Sequence, residues 1–364
     1  MLILVPQVYP PDPRNLSKNL HMFVSIQRSC DAKASISHKE YDSAKKAGQL
    51  ADAAKRLIGQ GKGRVEWPDI PWFDFEDLVG QGEQLVSKQK EDLDQGETDA
   101  VKREDVAFLQ YTSGSTSEPK GVMVTHSNLA HNLSTIVSSL NAGTSTRVAS
   151  WLPQYHDMGL IGSYLGALYC GGSGIYMSPL SFIKDTTLWM RTVSFFRATH
   201  LQAPNFGYAL AARKWEEKGL DRKATRGPPE DYENLQKVPN EPSYPIDLSC
   251  VEHIFNAAEP ITLSSVNSFL LRFSQYGLKP SAMKPGFGLA EHTVYVTDGG
   301  RARIRIDKDK FEAENTICPI MRWSWAADDI VVEQAKPTAS QICWAIGKRS
   351  LIPTITTPTL VAQR

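Results

Sequence analysis

The chain of 364 residues carries no excess of either charge, with 40 Lys plus Arg against 40 Asp plus Glu. That balance argues against the broad basic face by which proteins hold nucleic acid or an anionic membrane, so no nucleic-acid partner is expected. Cysteine is sparse: Cys30, Cys170, Cys250, Cys318 and Cys343 are scattered, and no Cys-x-x-Cys occurs. Zinc ribbons and a disulfide framework are disfavoured, and an odd, unclustered set fits a reducing, cytoplasmic location. The opening Met1 to Val5 is apolar, but it is short, lacks a basic lead and runs into Pro6. It does not read as a signal peptide. The one long charge-free stretch, Met158 to Ile183, is interrupted by Gly171, Gly172, Gly174 and Pro179. A membrane-spanning helix needs roughly 20 continuous residues, so a buried helix followed by a buried strand is expected and no membrane span. No internal repeat is present. The composition, 41% hydrophobic and 22% charged, is that of a soluble globular protein with a sizeable core, in one large domain or two ordinary ones.

Against these absences stands one dense stretch, Leu109 to Asn132, reading LQYTSGSTSEPKGVMVTHSNLAHN. Thr112, Ser113, Gly114, Ser115, Thr116 and Ser117 place hydroxyls and mobile backbone N–H groups side by side, with Lys120 and Gly121 shortly after. Glycine lets successive N–H groups point into one concavity, and lysine adds a compact charge, a combination suited to a polyphosphate. A Ser/Gly linker has a similar composition. Apolar, strand-like residues on both sides, Val106 to Leu109 and Val122 to Val124, favour instead an ordered loop between two strands. It is not a Walker A loop, because Lys120 precedes Gly121 and the chain continues as a strand.

The remaining elements follow from periodicity and punctuation. Leu2 to Tyr9 reads as a strand stopped by prolines, and Asn15 to Ala32 and Asp42 to Ile58 as helices. A Pro/Trp cluster spans Val65 to Phe75, and Gly80 to Asp105 reads as a solvated linker with some helix. Ser127 to Leu140 is an expected helix with Ser127 as its N-cap. Val148 to Leu152 is a buried strand, Met158 to Tyr169 a glycine-spaced helix, Ile175 to Met177 a short strand, and Ser181 to Arg197 a helix. Strand, turn and helix share Thr199 to Arg213. Glu216 to Asp247, rich in proline, reads as a surface excursion. Leu248 to Phe255 is a strand and Ser264 to Phe273 a helix. The alternation is that of an α/β fold.

YTSGSTSEPKGVMVTH resembles the phosphate loop of the acyl-adenylate-forming enzymes, the superfamily of acyl-CoA synthetases, peptide-synthetase adenylation domains and luciferases. Ser117 departs from the usual glycine, as the fatty-acyl-AMP ligase branch often does. VYPPDPRNL, WLPQYHDMGL, QAPNF, NAAEP (Asn256 to Pro260) and KPGFGLAEHTVYVT (Lys284 to Thr297) resemble further motifs of that branch. The resemblance implies the large N-terminal-type domain of these enzymes, stacked αβαβα layers, present in part over residues 1–314. Residues 315–364 are an expected divergent tail. The family's C-terminal lid domain, with its lysine, is not recognisable, nor are the first strands of the large domain.

By the same resemblance the cofactors are ATP and Mg²⁺, and the reaction is formation of an acyl-adenylate with release of pyrophosphate. Thr112 to Thr116, Lys120 and Gly121 would hold phosphate. Ala257, Ala258 and Glu259 would border the adenine, and Phe287 would stack on it beside Gly288. Glu291 would hold Mg²⁺, with Thr116. His156 would lie near the acyl carboxylate and the α-phosphate, positioning and stabilising charge. Read alone, the His156–Asp157 pair fits a local turn contact, Glu291 a structural ion pair and Asn205 an ordinary turn. The implied partners are a fatty acid and, for the full-length family, an acyl carrier protein or polyketide synthase. Three alternatives stand beside this reading: an acyl-CoA synthetase, a degenerate nucleotide- or acyl-binding domain, and, against the order of Lys120 and Gly121, a phosphate-loop NTPase. The absent lysine domain leads to the expectation that this chain is impaired.

Overall fold

The computed structural model describes residues 16–57, 67–88, 101–112, 119–220, 245–297, 302–306, 310, 313–314, 319–324 and 342–345. The chain divides into two compact units, residues 1–127 and 128–364.

The first unit holds α1 (Leu16–Cys30), β1 (Ser35–Ser37), α2 (Lys39–Leu57), β2 (Trp72–Asp74), α3 (Phe75–Lys88), β3 (Val106–Thr112) and β4 (Lys120–Thr125). The apolar spacing that predicts the first helix buries Leu20, Val24 and Ile26. The Pro/Trp segment packs against helices α1 and α2. Trp67 and Trp72 lie within 5.7 Å of Phe23, ring centre to ring centre, and within 6.4 Å of Tyr41. Lys45 sits inside this cluster, its ammonium 3.3 Å from the Trp72 ring centre and 2.8 Å from Asp42. A desolvated cation is stabilised there both by the aromatic face and by the carboxylate. Helix α3 occupies the start of the segment read as a linker.

Strands β3 and β4 pair antiparallel, with Tyr111 opposite Gly121 and Thr112 opposite Lys120, which bears out the two strands expected on either side of the loop. Gly121 is required by its neighbour, since a Cβ there would lie 2.8 Å from the Tyr111 ring. The tip, residues 113–118, lies outside the described residues.

The second unit contains most of α4 (His126–Ser139), which begins one residue before the expected cap Ser127. Its elements continue with β5 (Arg147–Ser150), α5 (Gly166–Tyr169), β6 (Ser173–Tyr176), α6 (Pro179–Lys184), α7 (Thr187–Phe196), β7 (His200–Pro204), α8 (Asn205–Glu217), β8 (His253–Ala257), α9 (Leu263–Ser274), β9 (Met283–Pro285), β10 (Phe287–Gly288) and β11 (Tyr295–Thr297). Five strands form a parallel sheet in the order β6-β5-β7-β8-β9. The chain runs outward from β5 to β6, then returns across β5 to build β7, β8 and β9. In open α/β sheets such a reversal of order opens a crevice at the carboxyl ends of the strands.

Helices α7, α8 and α9 bury the largest side chains. Trp189, Tyr208, Trp215, Phe269 and Phe273 are all fully buried. The Trp189 indole N–H donates to Ala149 O at 3.0 Å, so the ring is buried with its polar atom satisfied. A separate antiparallel sheet sets β12 (Ala302–Ile306) between β13 (Pro319–Ser324) and β14 (Ile342–Ala345).

Four elements differ from the sequence reading. Ser181 to Arg197 is two helices, α6 and α7, separated where Asp185 turns back to accept from Thr187 N–H and its hydroxyl. Met158 to Tyr169 opens as a π-helix, Met158–Leu165, before α5. The expected buried strand after it, β6, is largely exposed, because among the described residues no strand pairs with its far side. The strand read at Leu248 begins at His253. Leu2 to Tyr9 and nearly all of the surface excursion between Glu216 and Asp247 lie outside the described residues. Among those described, no helix is long and apolar enough to cross a membrane.

Candidate functional site

A cavity of about 190 Å³ lies where strand order predicts a crevice. Ile136 of α4 and Leu140 just beyond its end form one wall, and His156, Asp157, Met158 and Gly162 another. The sheet contributes Gln202, Phe255 and Ala257, and the segments beyond it Ala258, Gly288, Val294 and Tyr295. Apolar surface with a few convergent polar groups is the usual make-up of a small-molecule site.

His156 follows β5 on a turn closed by its own N–H donating to Pro153 O at 3.1 Å. Its Nδ1 lies 2.8 Å from Asp157 Oδ1, with the imidazole 46% exposed and the carboxylate 15%. The Asp157 carboxylate raises the His156 pKa above the ordinary 6.5, against an opposing contribution from burial. The geometry therefore favours a cationic imidazole, suited to stabilising negative charge rather than to removing a proton. Asp157 also caps the π-helix, accepting from Met158 N–H at 2.7 Å. Gly159 makes this tight entry possible, since a Cβ there would stand 2.2 Å from Pro153 O. Gln202, buried in β7, donates to Gly162 O at 3.0 Å and ties the π-helix to the sheet.

At the end of β8 the backbone of Ala258 takes a positive φ of 70°. Glu259 turns away from the cavity to accept from Phe206 N–H. Asn205 accepts from Thr262 N–H at 3.3 Å and donates to Thr262 Oγ1 and Ser265 Oγ. It is a staple of the turn, outside the cavity wall.

The β10–β11 hairpin closes the crevice through backbone fit. A Cβ on Gly286 would stand 2.0 Å from the Phe255 ring, and one on Gly288 2.0 Å from Val294 O. Between the two strands lies the 3-10 turn Ala290–His292, then Thr293 at φ 70° and ψ −62°. Val294 N–H donates to His292 O at 2.8 Å, which closes a γ-turn over Thr293. A β-branched residue in that region costs about 1–3 kcal/mol. Asn132 of α4, 3% exposed, faces this strained turn. It accepts from Tyr295 N–H at 3.0 Å and donates to Tyr295 O at 2.9 Å and His292 O at 3.3 Å.

Of the expected site residues, the second unit brings His156, Ala257, Ala258 and Gly288 to one cavity. Glu291 stands exposed in the turn between two lining residues, Gly288 and Val294, and is not itself in the wall. Phe287 and Glu259 are also outside the wall; the aromatic surfaces there are Phe255 and Tyr295, 5.9 Å apart. Thr112, Lys120 and Gly121 belong to the first unit, on β3 and β4, with Lys120 exposed. Ser113, Gly114, Ser115, Thr116 and Ser117 lie outside the described residues. Sequence reasoning gave no role to Asn132, Gln202, Phe255 or Tyr295. For Tyr295, its place eight residues past Phe287 in one motif was the available signal. Gln202 opens the QAPNF motif, which was its signal; Asn132 gave none, because burial of a lone amide is invisible in sequence.

The donors present fit a hard divalent cation poorly caged by protein. Among the described residues no group of three or more His, Cys, Asp or Glu converges, and there the Glu291 carboxylate has no hydrogen-bond or ion-pair partner. A lone carboxylate with ligand phosphates completing the shell is a common arrangement for Mg²⁺.

The sequence pattern described as AMP-binding enzyme matches residues 19–317. A medium-chain-fatty-acid–[acyl-carrier-protein] ligase of Teredinibacter turnerae is 31% identical over 315 residues, covering 82% of this chain and 45% of that protein. A long-chain-fatty-acid–AMP ligase of Mycobacterium marinum is 33% identical over 254 residues, covering 65% of this chain and 37% of its own length. Among solved structures, the fatty acyl-adenylate ligase of L. pneumophila in complex with acyl adenylate and pyrophosphate superposes with a TM-score of 0.66 at 26% identity. It covers 94% of this chain and 49% of that one. The mixed α/β architecture is thus that of the large N-terminal domain of adenylate-forming enzymes. The chain spans under half the length of the curated relatives it matches.

Proposed function

The chain belongs to the AMP-binding enzyme family, and on that premise we propose that it activates a fatty acid with ATP, for transfer of the acyl group to a carrier protein. The acid's carboxylate oxygen forms a bond to the α-phosphorus, the bond from that phosphorus to the bridging oxygen of the β-phosphate breaks, and pyrophosphate leaves. Both reactants are anionic, so catalysis consists of neutralising charge and holding them in line. His156, whose protonated form the Asp157 carboxylate favours, meets that need beyond the carboxyl end of β5. Lys120, with the hydroxyls and N–H groups of Thr112, Ser113, Gly114, Ser115 and Thr116 and the small Gly121, receives the phosphates. Ala257, Ala258 and Gly288 leave room for the adenine, beside the rings of Phe255 and Tyr295. Glu291 and Thr116 would hold Mg²⁺, which supplies further charge neutralisation when bound. The fatty acid needs no general base, being ionised at neutral pH.

One observation carries this reading: His156, Ala257, Ala258 and Gly288, which are far apart in sequence, line a single cavity at the switch point of the sheet. The test is fatty-acid-dependent ATP–pyrophosphate exchange by this chain. Exchange is expected, at a rate below that of a full-length relative. A chain that binds nucleotide and acid without exchange would be a binding domain only. Acyl-CoA formed on adding coenzyme A would replace the carrier protein as acceptor.

A further inference from the structure

We propose that Asn132 is a positioning residue: it fixes the strained turn at Thr293 and thereby sets where Glu291 and the Gly288–Val294 lip of the cavity stand. The inference rests on the nucleotide reading above. Its structural basis is independent of that reading.

Asn132 is buried, and all of its described hydrogen bonds run to backbone more than 150 residues away in sequence. One amide group serves Tyr295 N–H, Tyr295 O and His292 O, so it pairs with the turn much as a neighbouring strand would. The turn holds itself only in part: Leu289 N–H donates to Val294 O at 3.0 Å, His292 N–H to Leu289 O at 3.1 Å and Thr293 N–H to Ala290 O at 2.9 Å, and these bonds leave Thr293 in its strained conformation. It contains a three-residue γ-turn at a β-branched residue, and the hairpin shifts register at Phe287 and Gly288. Strained backbone persists where surrounding structure over-determines it, and Asn132 supplies that determination from a helix. Helix α4 follows directly from β4, the second strand of the glycine- and serine-rich hairpin. The residue that holds the Glu291 turn therefore lies seven residues after the end of that hairpin.

The test uses the full chain. Asn132→Ala deletes all three bonds. Asn132→Asp keeps the acceptor for Tyr295 N–H but sets a carboxylate against two carbonyls. Leu133→Ala, at the neighbouring buried position, is the control for general loss of stability. Hydrogen exchange should quicken about tenfold or more at Val294 and Tyr295 in both Asn132 variants. In Leu133→Ala it should change there no more than elsewhere in the second unit. Titration with Mg²⁺ and ATP should show about tenfold weaker binding for the Asn132 variants and near-native binding for Leu133→Ala. Faster exchange with native affinity would make Asn132 a structural residue only and overturn the role proposed. Unchanged exchange would overturn the clamp itself. A wild-type chain that binds no nucleotide would remove the role together with the functional reading, while the exchange data would still report on the clamp.

Discussion

Two regions of the second unit are built in different ways. Behind the sheet, α7, α8 and α9 pack side chain on side chain: Tyr208 on Phe269 with ring centres 5.0 Å apart, Trp215 on Phe273 at 5.2 Å. At the hairpin that closes the crevice, backbone lies directly against the Phe255 ring at Gly286 and the Val294 carbonyl at Gly288, and the fit depends on missing atoms at those glycines and on one amide at Asn132. The first region resists change by volume. The second responds to a single methyl group or hydrogen bond, and it forms part of the proposed site. The difference suggests that the stability of the unit and the shape of its cavity can be altered separately.

The largest expected effect tests that separation from the packed side. Trp189→Ala should cost about 3–5 kcal/mol by chemical denaturation, as for other buried aromatic truncations. Ligand affinity of the folded fraction should stay near native; a selective loss of affinity would join the two regions. Gly288→Ala comes next. It should cost about 1–3 kcal/mol of stability, because a Cβ would meet Val294 O at 2.0 Å. Unlike Trp189→Ala, it should also weaken nucleotide binding by about tenfold or more. A stable Gly288→Ala protein with native affinity would mean that the backbone fit is incidental.

Two histidines give the same contrast in their response to pH. His200, 3% exposed, is held neutral: burial lowers its pKa, while Nε2 lies 3.1 Å from Leu140 O and Nδ1 2.9 Å from Thr199 Oγ1. It faces His253, ring to ring at 5.8 Å, with Glu252 the nearby acid. Its contribution is present above the unfolded value of 6.5 and is lost as pH falls through 6.5 toward the lowered folded value. His156 has the opposite sign. Its raised pKa gives stabilisation that is full below 6.5 and is lost as pH rises through the folded value. His200→Gln should flatten the acid side of a stability–pH profile, and Asp157→Asn the neutral-to-basic side. The smallest effect is expected for Thr293→Gly, where relief of the positive φ offsets added freedom in the unfolded chain. Stability should stay within about 1 kcal/mol of native, and a larger loss would assign the Thr293 hydroxyl a role of its own.

The same contrast explains what could be read in the sequence. Helices α1, α4, α8 and α9 follow from apolar spacing, and the β3–β4 hairpin from two apolar runs around a glycine- and serine-rich loop. Those are repeating signals. His156, Ala257, Ala258 and Gly288 were legible through the motifs that hold them, and the cavity joins them. The π-helix at Met158–Leu165 was not legible: its glycines fit an ordinary helix equally well, and the groups it meets, Asp157 at its cap, Pro153 O beside Gly159 and Gln202 at Gly162, are placed by the tertiary fold. The break at Asp185 and the exposed edge at β6 depend on tertiary partners, as does the burial of Asn132. The family resemblance implied Phe287 as the aromatic face. The rings that line the cavity are those of Phe255 and Tyr295, and side-chain direction along a short, irregular hairpin cannot be counted from the motif.

Whether this chain holds a nucleotide is decided by titrating the wild-type protein and Lys120→Ala with ATP in the presence of Mg²⁺. Saturable binding to wild type is expected, with affinity about tenfold or more weaker for the variant; equal affinity of the two, or no binding by the wild-type chain, would overturn the proposed function.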